Sequence, residues 1–105
     1  MKYNKLVRDK IPAIIRNKGQ TPTTRAASPS ECFFLAKDKL WEEVREYADA
    51  KTKKERKEEL ADILEVVRLL ARVEKIPFNE IENTRKKKAK ERGAFKRWII
   101  LEEVV

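Results

Sequence analysis

The scarcity of glycine restricts the fold of this 105-residue chain more than any other feature, because only two glycines occur. Gly19 follows the segment AIIRNK, and Gly93 follows EIENTRKKKAKER. Glycine is favoured directly after the last residue of a helix, so each of these glycines predicts a helix end. The segment QTPTTRAASP after Gly19 has the composition of a loop. These signals predict a mainly helical chain.

Helix-start signals predict where the second helix begins. Ser28 can cap it, Pro29 suits the first helical position, and Glu31 can complete a capping box with Ser28. Such a box satisfies backbone N–H groups that have no partner inside the helix. We expect this helix to run from about residue 29 to about residue 50.

Similar signals delimit the third and fourth helices. Thr52 can cap the third helix, with Glu55 three residues later. Pro77 marks the break after it, because proline does not continue a helix, and Asn79 is a suitable cap for the fourth helix. The short segment DAKTKK joins the second and third helices. It predicts that these two helices form an antiparallel hairpin.

The C-terminal segment FKRWIILEEVV is aromatic and β-branched, which predicts a short strand, paired with the N-terminal YNKLV. The sequence contains no internal repeat. The predicted fold is therefore all-α in the main: a helical bundle with a short β element from the termini. The length predicts a single domain over residues 1–105.

Charge and composition exclude several functional classes. The chain holds 26 basic and 18 acidic residues, a net charge of +8, and no histidine. A Ser-His-Asp triad is therefore impossible, and the usual zinc sites are excluded. Its single cysteine, Cys32, cannot form an internal disulfide, and no apolar run is long enough for a membrane span, so we expect a cytoplasmic location. Acid–base or metal chemistry must use carboxylates, lysines and arginines, and the positive charge favours an anionic partner.

The third predicted helix carries acidic residues on or beside its apolar face. At 100° per residue, Glu59 lies roughly 40° from the middle of the apolar sector, and Asp62 lies near its border. Glu58 and Glu65 lie on the opposite, solvent-facing side. A carboxylate on a buried face is costly unless a basic side chain or a metal ion compensates it. The apolar sector consists of Leu60, Ile63, Val66, Val67 and Leu70.

The second helix supplies a matching acidic set, Glu42, Glu43 and Glu46. In an antiparallel hairpin, Glu43 and Glu46 can face Glu59 and Asp62. Carboxylate ligands without histidine favour Mg²⁺ or Mn²⁺ over zinc or copper. Two divalent ions would neutralise four carboxylates, and a two-metal site suits phosphoanhydride cleavage. The alternative is that these acids only pair with nearby lysines and arginines.

Four segments together resemble the MazG-like superfamily of all-α NTP pyrophosphatases. EEVRE followed by ELAD matches its EExxE…ExxD acid pattern, and YNKLVRDKIP and KAKERGAF resemble its compact phosphoribosyl-ATP pyrophosphohydrolase-like branch. The resemblance spans nearly the whole chain. It implies a homodimer or tetramer and Mg²⁺-dependent hydrolysis of a nucleoside triphosphate between its α and β phosphates. The products would be a nucleoside monophosphate and pyrophosphate.

The resemblance also implies roles for individual acids. Glu43, Glu46, Glu59 and Asp62 would be the metal ligands. Glu42 would be a secondary ligand or would orient the water, so Glu42 and Glu43 are the candidate catalytic residues.

Basic residues of the fourth helix and the N-terminus are candidates for binding phosphate. On a helical wheel Arg85, Lys88 and Arg92 share the side of the apolar residues, so we expect them to point inward and hold polyphosphate oxygens. Lys88 and Arg92 also match the K-x-x-x-R-G segment of the resembled family. Arg8 and Lys10, in the N-terminal signature, are further candidates. A structural ion pair is the alternative role for Arg85.

An apolar surface on the second helix predicts a further subunit. Phe34 and Trp41 lie well outside the stripe that faces the hairpin partner. This surface is wider than one contact within the chain requires, so we expect burial against another copy.

Three functions remain open on the sequence alone. The first is housekeeping hydrolysis of non-standard or surplus NTPs. The second is phosphoribosyl-ATP pyrophosphohydrolysis in histidine biosynthesis. The third is a small basic nucleic-acid-binding protein that uses RKKKAKERGAFKR. We favour the first, because the N-terminal signature belongs to the branch of the resembled family in which we place the housekeeping enzymes. Nucleic-acid binding does not explain acids within an apolar face.

Overall fold

A computed structural model describes residues 4–105, and these residues form four α-helices. They are α1 (Ile11–Asn17), α2 (Pro29–Asp49), α3 (Lys53–Val73) and α4 (Phe78–Arg92). The chain divides into two compact units, Met1–Lys75 and Ile76–Val105. The first unit holds α1 to α3 and the second holds α4. Of the predicted N-terminal strand, Tyr3 lies outside the described residues.

The start of α2 confirms the predicted capping box. The Glu31 backbone N–H donates to Ser28 Oγ at 3.2 Å, and the Ser28 backbone N–H donates to Glu31 Oε1 at 3.1 Å. Pro29 occupies the first turn, where its missing N–H removes no helical hydrogen bond. The helix then runs for 21 residues without an internal glycine or proline. Its length follows from these start signals and from good helix formers within.

The start of α3 confirms the predicted Thr52 cap. The Glu55 backbone N–H donates to Thr52 Oγ1 at 3.1 Å. The Glu55 carboxylate accepts from the backbone N–H of Lys51 at 2.9 Å, one residue before the cap, so it ties down the connection itself. Only residues 50–52 separate α2 from α3. This short connection forces the two helices to run antiparallel, and they pack against each other as the predicted hairpin.

The hairpin buries little apolar surface. Among the described hydrophobic residues, Ala36, Val66 and Ala71 are buried. Larger side chains on the same two helices remain exposed, above all Phe34 (63%), Trp41 (68%) and Leu64 (61%). Two helices alone cannot cover all of each other's apolar side chains, so this unit has a small core. We call the exposed apolar side chains, above all Phe34, Trp41 and Leu64, the apolar face.

The ends of α1 and α4 lie at the two glycines, as predicted. Gly19 and Gly93 have φ of 83° and 87°, values that residues with a Cβ atom rarely adopt. The predicted cap of α4 is wrong. Asn79 lies inside the helix, and the residue at the cap position is Pro77, which makes no side-chain hydrogen bond. Proline's fixed φ already sets the entry into this helix.

The predicted C-terminal strand is absent from the described residues. The segment 95–105 is irregular, and its large apolar side chains are exposed. Trp98 has a φ of 53°, which interrupts the extended backbone that a strand requires. The fold is therefore all-α in the part of the chain that is described. Among the described helices, none combines the length and apolar composition that crossing a membrane requires.

We expect the Thr52→Ala substitution to lower the free energy of unfolding by about 1 kcal/mol, because it removes the side-chain acceptor at the start of α3. Urea denaturation measures this value. Thr24→Ala is the matched control, since Thr24 is exposed in the loop before α2. Equal stability of the two variants would contradict a stabilising role for the cap.

Candidate metal centre

Four carboxylates of the hairpin converge on a fifth, that of Glu43. Ligand oxygens of Glu43, Glu59 and Asp62 lie within 4.8 Å of one another, and those of Glu42, Glu43 and Glu46 do the same. Glu43 belongs to both groups. The structure therefore brings acids of α2 and α3 together, as predicted.

Helix geometry explains this convergence. Residues three and four positions apart lie on neighbouring parts of one helix face, which aligns Glu43 with Glu46 and Glu59 with Asp62. The short connection after α2 then brings these two faces together. Glu42 joins from the flank of α2, next to Glu43 in the sequence.

Burial distinguishes two of these carboxylates. Glu43 is only 6% exposed, and its Oε2 atom has no hydrogen-bond partner among the described residues. Glu59 Oε2 is also buried without a described partner. A buried carboxylate oxygen without a donor is strongly unfavourable for a purely structural side chain. Two such oxygens in one cluster could be satisfied by a bound cation.

The electrostatics of the cluster favour protonation when no cation is present. Burial, with help from the nearby charge of Glu46, raises the pKa of Glu43 to about 7. Desolvation also raises the pKa of Glu59, and the charges of Glu46 and Asp62 act in the same direction. Carboxylates that share a site repel each other when all are ionised. Both pKa values are raised mainly by burial, as expected where nearby basic side chains compensate the crowded charges only in part.

Basic residues among those described, Lys5, Arg8 and Lys39, contact the cluster. Lys39 Nζ lies 3.4 Å from Glu42 Oε2 and 3.5 Å from Glu43 Oε1. Lys5 Nζ lies 3.1 Å from Glu42 Oε1. An Arg8 guanidinium nitrogen lies 2.7 Å from Asp62 Oδ1. Cationic partners therefore reach several oxygens of the cluster, whereas its inner oxygens, Oε2 of Glu43 and Oε2 of Glu59, have no hydrogen-bond partner among the described residues.

Glu42 differs electrostatically from its neighbour. Burial raises the pKa of Glu42, but the hydrogen bond from Lys5 and the charge of Lys39 outweigh burial, so the pKa lies below its ordinary value. Glu42 is consequently ionised at neutral pH. An ionised carboxylate at the edge of the cluster can accept a hydrogen bond from water.

The donor set fits a hard divalent cation. It consists only of carboxylate oxygens, which suit Mg²⁺ or Mn²⁺ better than softer metals. The two buried oxygens without partners are the atoms that such an ion would satisfy. A bound ion of this kind polarises a phosphate and lowers the pKa of water.

The basic residues predicted to bind phosphate have different surroundings. Arg85, Lys88 and Arg92 are all exposed, and their role in holding polyphosphate oxygens stays a prediction. Arg85 Nε donates to both Glu82 carboxylate oxygens at 3.1 Å, which is the structural pair considered as its alternative. Lys10 is exposed at the N-terminal cap position of α1.

Sequence reasoning missed the cationic edge of the cluster. Lys39 is four residues before Glu43, a spacing at which helical ion pairs form, so its contact was detectable. Nothing in the sequence indicated that Lys5 reaches Glu42 or that Arg8 reaches Asp62. These pairs join residues 37 and 54 positions apart and depend on how the N-terminal segment crosses the hairpin.

Comparison with known proteins supports a functional interpretation of this geometry. The family model described as the MazG nucleotide pyrophosphohydrolase domain matches residues 35–94, which is more than half of the chain. The match includes all five acids of the cluster and ends just after α4. Comparisons with curated proteins and with solved structures find no significant match.

The raised pKa of Glu43 predicts how the stability of the metal-free protein depends on pH. Between its ordinary pKa and about 7, the folded state holds a proton that the unfolded state releases. The contribution to stability is therefore complete at low pH and is lost as pH rises through about 7. We expect the free energy of unfolding in EDTA to fall by roughly 1–3 kcal/mol from pH 5 to pH 8.5.

Urea denaturation at both pH values tests this prediction with two variants. Glu43→Gln should flatten the dependence on pH, because the amide does not titrate. Glu58→Gln, at an exposed position of α3, should retain it. A wild-type protein that becomes more stable between pH 5 and pH 8.5 would contradict the assigned burial of Glu43.

Proposed function

The chain belongs to the MazG nucleotide pyrophosphohydrolase domain family, and from this premise we propose that it is a Mg²⁺-dependent nucleoside triphosphate pyrophosphohydrolase. It cleaves the bond between the α and β phosphates and releases a nucleoside monophosphate and pyrophosphate. Its role is the cytoplasmic removal of non-standard or surplus NTPs. The observation that carries the proposal is the pair of buried, partnerless oxygens on Glu43 and Glu59, inside the matched segment.

The metal ligands in this proposal are Glu43, Glu46, Glu59 and Asp62. Each belongs to a group of three acids that contains Glu43, and the buried Oε2 atoms of Glu43 and Glu59 have no hydrogen-bond partner among the described residues. Mg²⁺, with Mn²⁺ as a substitute, would supply the positive charge that these oxygens lack and the polarisation that phosphoanhydride cleavage needs.

Glu42 orients the attacking water. Its lowered pKa keeps the carboxylate ionised, and its position beside Glu43 places an acceptor at the edge of the cluster. Lys5 and Lys39 hold this carboxylate from two sides, which restricts its orientation. A fixed acceptor favours one geometry of attack over many, and this positioning contributes to catalysis.

Basic side chains bind the polyphosphate. Lys88 and Arg92 are exposed near the end of α4, and Arg8 and Lys10 precede or begin α1. Exposure leaves them accessible to an anionic substrate, and arginine is suited to two-pronged contact with phosphate. Arg85 is the weakest candidate of this group, because Glu82 already accepts its hydrogen bonds.

The protein functions as a homodimer or larger homo-oligomer. The small buried core of the first unit and the exposed side chains of Phe34, Trp41 and Leu64 support this proposal. Burying an apolar side chain of this size contributes about 1.5–3 kcal/mol, so a second copy that covers this face would add substantially to stability. A closed symmetric pair uses the same face on both copies.

We expect Glu59→Gln to abolish Mg²⁺-dependent pyrophosphate release while leaving the metal-free protein folded, with equal or greater stability. The amide keeps the shape of the side chain but removes one negative charge from the cluster. The measurement is pyrophosphate formation from a panel of NTPs and phosphoribosyl-ATP, together with thermal unfolding in EDTA.

The panel also separates the competing functions. Glu58→Gln is the matched control, because it makes the same change at an exposed position of α3 and should keep full activity. Turnover of phosphoribosyl-ATP alone would favour the enzyme of histidine biosynthesis. Salt-resistant DNA binding with no pyrophosphate formed would favour a nucleic-acid-binding protein. Unchanged turnover in Glu59→Gln would remove the assignment of the site.

We expect the wild-type chain to sediment as a dimer or larger species and Leu64→Glu to shift it toward monomer. A charge placed on the apolar face must be desolvated when the subunits associate. Thr24→Glu adds the same charge in an exposed loop and should not change the sedimentation coefficient. A wild-type chain that is monomeric at high concentration would contradict the proposed assembly.

A further inference from the structure

The segment before α1 supplies a cation to one of the candidate metal ligands. An Arg8 guanidinium nitrogen lies 2.7 Å from Asp62 Oδ1, and this contact joins residues 54 positions apart in the sequence. Asp62 is at the same time one of three acids whose ligand oxygens lie within 4.8 Å of one another. The same carboxylate therefore serves an internal cation and belongs to the cluster that would hold an external one.

A guanidinium and a divalent cation compete for such a carboxylate. Both are attracted by its negative charge, and two positive groups side by side repel each other. We propose that Arg8 is the resident counter-ion of Asp62 in the metal-free protein and that it lowers the affinity of the cluster for a divalent cation. Arg8 is then a residue that sets metal affinity. This inference rests on the proposed function, because it requires that the cluster bind metal.

The Arg8–Asp62 pair has the properties of a displaceable contact. The side chains of Arg8 and Asp62 are 59% and 36% exposed, so water screens their attraction and can replace either partner. The carbonyl of Arg8 separately accepts the backbone N–H of Ile11 at 3.0 Å. Because this bond uses the backbone, the side chain can leave Asp62 without unfolding the start of α1.

The neighbouring Lys5 contact shows why Arg8 is the residue to test. Lys5 contacts Glu42, at the outer edge of the cluster, whereas Arg8 contacts an acid that is grouped with the two buried, partnerless oxygens. Displacing Arg8 frees a carboxylate in the same group as Glu43 and Glu59, whose buried Oε2 atoms have no hydrogen-bond partner among the described residues. It also releases a guanidinium beside the site, where a polyphosphate would bind.

The chain contains a matched control for this contact. An Arg25 guanidinium nitrogen lies 2.7 Å from Glu31 Oε2, the same separation as in the Arg8 pair, and Arg25 is also exposed. Glu31 caps α2 and is not among the acids of the cluster. Arg25→Gln therefore removes one positive charge and one ion pair of equal length without touching a candidate ligand.

The experiment is calorimetric titration of MgCl₂, and separately MnCl₂, into the metal-free full chain without nucleotide. We expect Arg8→Gln to bind each ion about two- to fivefold more tightly than the wild type, the range that corresponds to losing an exposed ion pair. Arg25→Gln should bind with the wild-type Kd. Arg8→Lys keeps the positive charge and should bind with a Kd close to that of the wild type. If Arg8→Gln does not fold, Arg8→Lys is the variant to be measured.

The outcomes separate the inference from the proposed function. If the wild type binds metal but Arg8→Gln binds no more tightly than Arg25→Gln, the inference is wrong and the metal site stands. Weaker binding by Arg8→Gln would also overturn it, since Arg8 would then hold Asp62 in place for the ion. A wild-type chain that binds neither ion would overturn the metal site and the inference together.

Discussion

The burial of the Glu43 carboxylate is the constraint on which the rest of this structure depends. A carboxylate removed from water is stable only if it is protonated, paired or bound to a metal. Here Lys39 pairs with one oxygen of Glu43, and the other oxygen has no described partner. The geometry that creates this situation is simple: two long helices, a connection of three residues, and acids at helical spacing on the facing surfaces.

Charge compensation is arranged in two layers around this carboxylate. Lys5, Lys39 and Arg8 form ion pairs with Glu42, Glu43 and Asp62, and this fits a chain whose net charge is +8. The Oε2 atoms of Glu43 and Glu59 have no hydrogen-bond partner among the described residues, and in the proposed function a divalent cation would satisfy them. A cluster in which every acid had its own lysine or arginine would bind metal poorly, and one with no basic neighbours would destabilise the metal-free fold. The observed arrangement lies between these extremes.

The sequence predicted features that depend on local interactions. The capping box at Ser28, the Thr52 cap and both glycine stops are confirmed, because each is determined by contacts within a few residues. The convergence of the acids was also predictable, since helical periodicity and a short connection are enough to bring them together. The failures have another cause. A strand in segment 95–105 would require a partner strand, which local composition does not reveal. Asn79 was predicted to cap α4, but the residue at the cap position is Pro77, two residues earlier.

Ion pairs between residues far apart in the sequence were also not predictable, because they too depend on contacts that are not local. The contact between Arg8 and Asp62 requires knowledge of how the N-terminal segment crosses the hairpin, and periodicity contains no such information. The exposure of Arg85, Lys88 and Arg92 was likewise not predictable from the sequence. A helical wheel orders the sides of a helix relative to one another, but burial depends on what covers each side. The wheel argument succeeded on α3 because α2 covers it, and no such neighbour can be inferred for α4 from its own residues.

The acid cluster and the apolar face are physically linked because they lie on the same two helices. On α2, the exposed side chains of Phe34 and Trp41 lie opposite Glu43 around the helix axis, by the 100° step of a helix. Crowded carboxylates destabilise the hairpin, and the few buried side chains, Ala36, Val66 and Ala71, offset little of that destabilisation. A subunit on one face and a cation on the other would each stabilise the same pair of helices. If both bind only the folded hairpin, the proposed association would favour the proposed metal binding to the extent that the unfolded state is populated.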